Sequence, residues 1–182
     1  MSVSSTGRDR ELIEASLDRI RSELASVVGL EVDCTDLTIS RDEDRPIVGE
    51  GVHLSFKLGL LAQGEIRKGC LVMGLEPALE AAGLFLGRSD DDRQLAAKSC
   101  ELDDEWKEGL LEVGSVFGAA VDVALRDEIG VDVHACSEGC QGVKTNTAPT
   151  LEVSPENEVL VGRFKWRSEA GLSSEGFLAV DL

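Results

Sequence analysis

The clearest periodic signal follows Asp103, where Trp106, Leu110, Val113, Phe117, Ala120 and Ala124 recur at steps of four and three and the run ends before Gly130. That spacing lines one face of a long α-helix. A second amphipathic run, Leu12, Ile13, Leu17, Ile20, Leu24 and Val27, stops at Gly29 and predicts another helix, preceded by a small, polar, disordered stretch over residues 1–7. Residues 30–39 read as a strand, followed by a charged loop that ends at Pro46. Val52, Leu54, Phe56, Leu58 and Leu60 then alternate with His53, Ser55, Lys57 and Gly59, the period-two pattern of a strand with one buried face. A turn around Gln63, Gly64 and Glu65 leads into residues 66–73 and completes a hairpin.

Glu76-Pro77 opens a short helix with Leu79, Ala82 and Leu86 on one side and Gly87 as its stop. Residues 88–100 read as a polar connector with at most an extra helical turn. Three further strands are expected at 131–136, 158–166 and 175–182, separated by loops of Gly, Ser, Thr, Asn and Pro. The order is therefore an α+β one: two pseudo-symmetric halves, each a long helix feeding a three-stranded meander. A largely antiparallel sheet packed against long helices follows from the runs of adjacent strands. Residues 8–182 are expected to form one domain.

Composition narrows the partners. Eighteen Lys and Arg against 35 Asp and Glu give a formal charge of −17, which repels nucleic acid and anionic membranes alike and serves solubility. No run of about 18 apolar residues occurs and the first residues lack the apolar centre of a secretory signal, so a cytoplasmic protein is expected. The five cysteines are odd in number and sit mostly in apolar stretches, as reduced thiols used for packing do.

The long helix carries a second stripe two residues out of phase with the first: Glu108, Glu112, Ser115, Ala119, Asp122 and Arg126. Two residues turn a helix by about 200°, so this stripe is expected to face solvent or a partner. Glu112 and Ser115, three apart, project as neighbours. Gly114, Gly118 and Ala119 leave little bulk around them, which suits either close approach by another protein or tight packing against the first helix.

The stretch from Glu112 to Leu125, EVGSVFGAAVDVAL, resembles the signature helix of the CheC/CheX/FliY chemotaxis phosphatases, in which a Glu is followed three residues later by an Asn and then by a small-residue segment. The surrounding order agrees: a first helix ending in VVGLEV, a strand pair over 52–73, and EPALEAAGLFLG at 76–87. The resemblance spans roughly residues 10 to 180 and is carried by pattern more than by identical residues.

It implies a protein that docks a phosphorylated CheY-like receiver domain and promotes hydrolysis of its aspartyl phosphate. Glu112 would meet the receiver's lysine, and Ser115 would stand where the family's Asn orients water. Glu108, Ala119 and Asp122 would complete the docking surface. No cofactor of its own is implied, because the Mg²⁺ of this chemistry sits on the receiver. A serine hydroxyl is shorter than an amide and lacks its paired donor and acceptor, so the resemblance equally allows a catalytically silent module binding a receiver or a flagellar-switch partner.

Other constellations point to less. His134, Cys136 and Cys140 lie within seven residues but without Cys-x-x-Cys spacing or a second cluster, so no metal is expected. His53 is expected to be exposed or hydrogen-bonded opposite the apolar face of its strand. Asp90-Asp91-Asp92 reads as a solvated connector. Trp166, between Lys165 and Arg167, is read as lying on an edge strand, where sheet extension would give a homodimer.

Overall fold

A computed structural model describes residues 7–42, 45–62, 64–99, 101–130, 132–151 and 158–182. Helix α1 (Gly7–Glu23) runs into a wide π turn, Leu24–Val28, and stops at Gly29 with φ 74°, a left-handed conformation that favours glycine. Strands β1 (Val32–Asp42), β2 (His53–Ala62) and β3 (Glu65–Gly74) precede helices α2 (Leu75–Phe85), α3 (Asp90–Ser99) and α4 (Asp104–Glu128). Strands β4 (Val133–Val143), β5 (Val159–Ser168) and β6 (Ser173–Asp181) complete the chain.

All six strands join one antiparallel sheet in the order β1-β5-β6-β3-β2-β4. The expected halves are present, but neither is a simple meander. The first strand of each half crosses to the other half's hairpin: β1 pairs with β5 and β4 pairs with β2, while β3 and β6 meet in the centre. Exchanging the halves reproduces the same order in reverse, which is a pseudo-two-fold arrangement. Hydrophobic alternation fixes which face of a strand is buried, not which strand lies beside it.

Helices α1, α2 and α4 cover one face. Ile13 and Ile20 from α1, Leu79 from α2 and Phe117 from α4 pack on Phe56, Leu71, Phe164 and Leu178 of the sheet, and the Phe56 and Phe117 rings meet edge-on at 4.9 Å. A smaller cluster, including Val48, Val72, Val143, Leu151, Val161 and Phe177, lies elsewhere in the fold. It draws in the segments around Val48 and Leu151, held together by Val48 N–H donating to the Thr147 carbonyl at 3.0 Å and Thr145 Oγ1 donating to the Gly51 carbonyl at 2.8 Å.

That second cluster corrects the reading of β2 as a strand with a single buried face. His53 and Ser55 are buried as well, and His53 Nδ1 lies 3.3 Å from the Gly51 carbonyl. Val27 and Val52 are instead exposed at their element ends.

Residues 90–99 form a full helix rather than a connector. Ser89 accepts from the Asp92 amide and the three aspartates occupy the first turn, a capping arrangement that offsets the weak apolar pattern. Trp166 is completely buried in β5, between β1 and β6. The edge reading of Trp166 therefore fails, because the sheet's edges are β1 and β4, and Trp166 gives no argument for pairing between copies. Both edges carry an irregularity. The register of β1 slips between Thr35 and Thr38, with Asp36 at φ 56°, and that of β4 slips opposite Phe56 and Leu58, with Gly139 at φ 101°. Such bulges discourage edge-to-edge pairing.

Candidate functional site

Helix α4 is the longest element, about 37 Å at 1.5 Å per residue. Its start is fixed by Asp103, whose carboxylate accepts from the Trp106 amide at 2.9 Å. The apolar stripe from Trp106 to Ala124 is buried throughout. The opposite stripe emerges as expected for five of its six members: Glu108, Glu112, Ser115, Ala119 and Arg126 are all exposed. Among the described residues, neither Glu108 nor Glu112 forms an ion pair, so their charges face outward.

Ser115 is not an unengaged hydroxyl. Its Oγ donates to the Leu111 carbonyl one turn back, at 3.1 Å, the common fate of a serine in a helix interior. The proton is directed along the helix and only the oxygen's lone pairs face out.

Asp122 leaves the stripe. Its carboxylate accepts from the Ala135 amide of β4 at 2.8 Å, pairs with Arg126 at 2.8 Å, and lies 3.5 Å from His134 Nδ1. It is spent on fastening β4 to the end of α4, so the geometry assigns it a structural task in place of the expected docking one.

The small residues divide. A Cβ on Gly118 would fall 2.6 Å from the Ser137 amide nitrogen, and one on Gly114 would fall 3.2 Å from the Phe56 ring and from Ser137 Oγ. These glycines admit the bulged part of β4, not a visiting protein and not α1. Ala119 alone keeps an open, low-relief surface.

One residue escaped the sequence reading. Leu111 is 45% exposed, between Glu108 and Ser115 on the same side of α4 and 3.8 Å from the Cβ position of Gly139. Its signal was an apolar side chain outside the apolar stripe. The resulting ridge is an apolar knob flanked by two carboxylates and a hydroxyl, bordered by the β4 bulge, where Glu138 accepts both its hydrogen bonds from Lys68 at 2.7 and 2.8 Å.

The remaining candidates separate. Cys140 packs against the core, while Cys136 is exposed, and no cysteine among those described is in a disulfide. Among the described residues, no three His, Cys, Asp or Glu side chains gather as a metal ion requires. Burial pushes the thiols of Cys34 and Cys70 up to about 12, which suits packing rather than reactivity. No helix among the described residues is long and apolar enough to cross a membrane.

No family model matches this chain, and no curated protein matches it. Solved structures do. FliY from Thermotoga maritima superposes with a TM-score of 0.71 at 14% identity, covering 98% of this chain and 92% of that one. CheX from Desulfovibrio desulfuricans gives 0.58 at 11% identity, covering 94% and 99%. The FliM middle domain from H. pylori gives 0.60 at 9% identity, covering 98% and 93%. Identities this low speak to the fold, and on that ground the chain has the fold of the CheC/CheX/FliY chemotaxis proteins.

Proposed function

We propose that this protein works in chemotaxis signalling by docking a phosphorylated CheY-like receiver domain on the exposed ridge of α4, where it promotes hydrolysis of the receiver's aspartyl phosphate slowly. The observation that carries this reading is the outward-facing Glu112, without an ion pair among the described residues, one turn from Ser115. An unpaired carboxylate on a raised, low-bulk surface suits a lysine in a concave site. Hydrolysis of an acyl phosphate needs positioning of water and little covalent chemistry from the visiting protein. Leu111 supplies apolar area at the centre of the contact.

One observation favours a second reading, a binding module without catalysis. The Ser115 hydroxyl hydrogen is already committed to the Leu111 carbonyl, so Ser115 offers water an acceptor but no donor. The same fold in a FliM middle domain supports a flagellar-switch interaction as the corresponding role.

The test uses a CheY-like receiver from the same genome, charged with acetyl phosphate, with phosphate release followed with and without this protein. Faster release supports the phosphatase; tight binding of the beryllofluoride-activated receiver without faster release supports the silent module. Absence of both, for every such receiver, overturns the proposal.

A further inference from the structure

The bulge of β4 that borders the ridge is held from both faces of the sheet. On the helix side, the Ser137 amide nitrogen lies 2.6 Å from the Cβ position of Gly118, and its Oγ lies 3.2 Å from that of Gly114. Contacts this close stop the bulge from moving further toward α4. The opposing hold comes from Glu138. Leu58 and Leu60 enter the core that the helices cover, so Gly59 between them faces the other side of the sheet.

The Glu138 carboxylate lies across Gly59, with Oε1 2.5 Å from the Cβ position of that glycine. It accepts both hydrogen bonds of Lys68, the cross-strand neighbour of Gly59 on β3, at 2.7 and 2.8 Å. The ion pair therefore clasps three strands, from the edge strand β4 across β2 to β3. Gly59 is not among the glycines of positive φ, so its backbone does not demand glycine; what the missing side chain provides is room for the carboxylate.

Glu138 is followed by Gly139, whose Cβ position is 3.8 Å from Leu111 Cδ2. Leu111 thus leans on the bulge, and the clasp on the far face of the sheet fixes the surface it leans on. An exposed leucine without such support exchanges between rotamers, and ordering it on binding costs affinity.

We propose that Lys68 and Glu138 are a positioning pair: by clasping the β4 bulge against α4 they hold Leu111 in the orientation offered to a docking receiver. This rests on the reading of the α4 ridge as the docking surface, while the hold on Gly139 and Leu111 is a property of the free chain and is measured separately.

Gly59→Ala isolates the effect, because its methyl group displaces the Glu138 carboxylate and leaves both charges and every ridge residue in place. The carboxylate is the far end of a flexible side chain, so the fold persists and the urea midpoint changes little. In the free protein the Gly139 amide resonance shifts, and the shift difference between the two Leu111 methyl carbons, which reports rotamer population, narrows. Affinity for the beryllofluoride-activated receiver falls about two- to tenfold, the scale of ordering one side chain at an interface, and Glu138→Ala does the same. The double exchange of Lys68→Glu with Glu138→Lys, which keeps the net charge, recovers most of what either single exchange loses. In a Leu111→Ala background, Gly59→Ala costs no further affinity. Unmoved Leu111 and Gly139 resonances overturn the proposal, as does unchanged affinity where those resonances move. An equal loss in the Leu111→Ala background overturns it too, and so does a loss with Glu138→Ala that Gly59→Ala fails to reproduce, which makes Glu138 a direct contact. Failure of the parent to bind any receiver, with the resonance changes present, overturns the docking reading alone.

Discussion

The Ser115 hydroxyl donates to the Leu111 carbonyl at 3.1 Å, and Leu111 is itself the exposed apolar centre of the ridge. The backbone of the proposed docking surface thus holds the proton of the residue proposed for the catalytic position. An asparagine at that position extends further and carries both an acceptor and an NH₂ donor. Ser115→Asn is therefore expected to raise receiver dephosphorylation by on the order of tenfold or more, the scale of a positioning effect. Ser115→Ala should lower whatever activity exists while shifting stability by less than about 0.5 kcal/mol. Phosphate release from an acetyl-phosphate-charged receiver reads both. An asparagine variant no faster than the parent would remove Ser115 from the catalytic slot.

Gly118 and Ala119 are neighbours in sequence with opposite surroundings. A Cβ at Gly118 meets the backbone of Ser137, which cannot swing aside as a flexible side chain would. Gly118→Ala should destabilise the fold by about 1–3 kcal/mol, despite the gain in helix propensity that alanine ordinarily brings. Ala119→Leu adds bulk to exposed surface, so it should leave stability nearly unchanged and weaken receiver binding. Urea unfolding and titration with the activated receiver separate the two effects. A Gly118→Ala protein as stable as the parent would mean that β4 does not lie where the bulge puts it.

The fold was largely legible because most of its elements declare themselves locally. The six-residue stripe from Trp106 to Ala124 and the alternation from Leu54 to Leu60 each depend on residues within a few turns of one another. What escaped depends on distant partners. Trp166 looks like an edge residue beside Lys165 and Arg167, but β1, more than a hundred residues earlier in the chain, lies against β5 and makes it an interior strand, and the Trp166 side chain belongs to the main core cluster. His53 looks like the wet side of a strand, and its burial belongs to an end of β2 that no alternation pattern describes. At the site, spacing alone placed Glu112 and Ser115 on one exposed turn. It had no means of seeing that Asp122 is claimed by a strand that begins only after α4 has ended.

The buried Glu80 carboxyl gives the protein a pH dependence of definite sign. Burial raises its pKa above the ordinary 4.5, so the folded chain holds this proton more tightly than the unfolded chain. Between the two values the folded state binds more protons, and stability falls as pH rises through that window. The contribution is fully present below about 4.5 and lost once pH has passed the folded value. The net charge of −17 adds a general decline in the same direction through self-repulsion. Glu80→Gln, which stays neutral, should therefore show a shallower loss of stability with rising pH than the parent. Urea midpoints taken from mildly acidic to neutral pH measure the difference. Parallel curves for the two proteins would show that Glu80 ionises in the folded chain as it does in water.

Asp122 provides the sharpest separation between structure and docking. Its carboxylate holds the Ala135 amide and Arg126, both at 2.8 Å, and only 17% of its side chain is exposed. Removing it leaves a partly buried backbone donor of β4 without its acceptor, so Asp122→Ala should cost about 1–3 kcal/mol. In urea this appears as a lower midpoint with an unchanged slope. Receiver affinity, measured well below the unfolding transition, should remain that of the parent, since the carboxylate does not face the ridge formed by Glu108, Leu111, Glu112 and Ser115. Arg126→Ala breaks only the more exposed of the two contacts and should lose less than about 1 kcal/mol. If Asp122→Ala instead keeps its unfolding midpoint and loses receiver binding, Asp122 belongs to the docking surface and the link from α4 to β4 is not what holds that edge of the sheet.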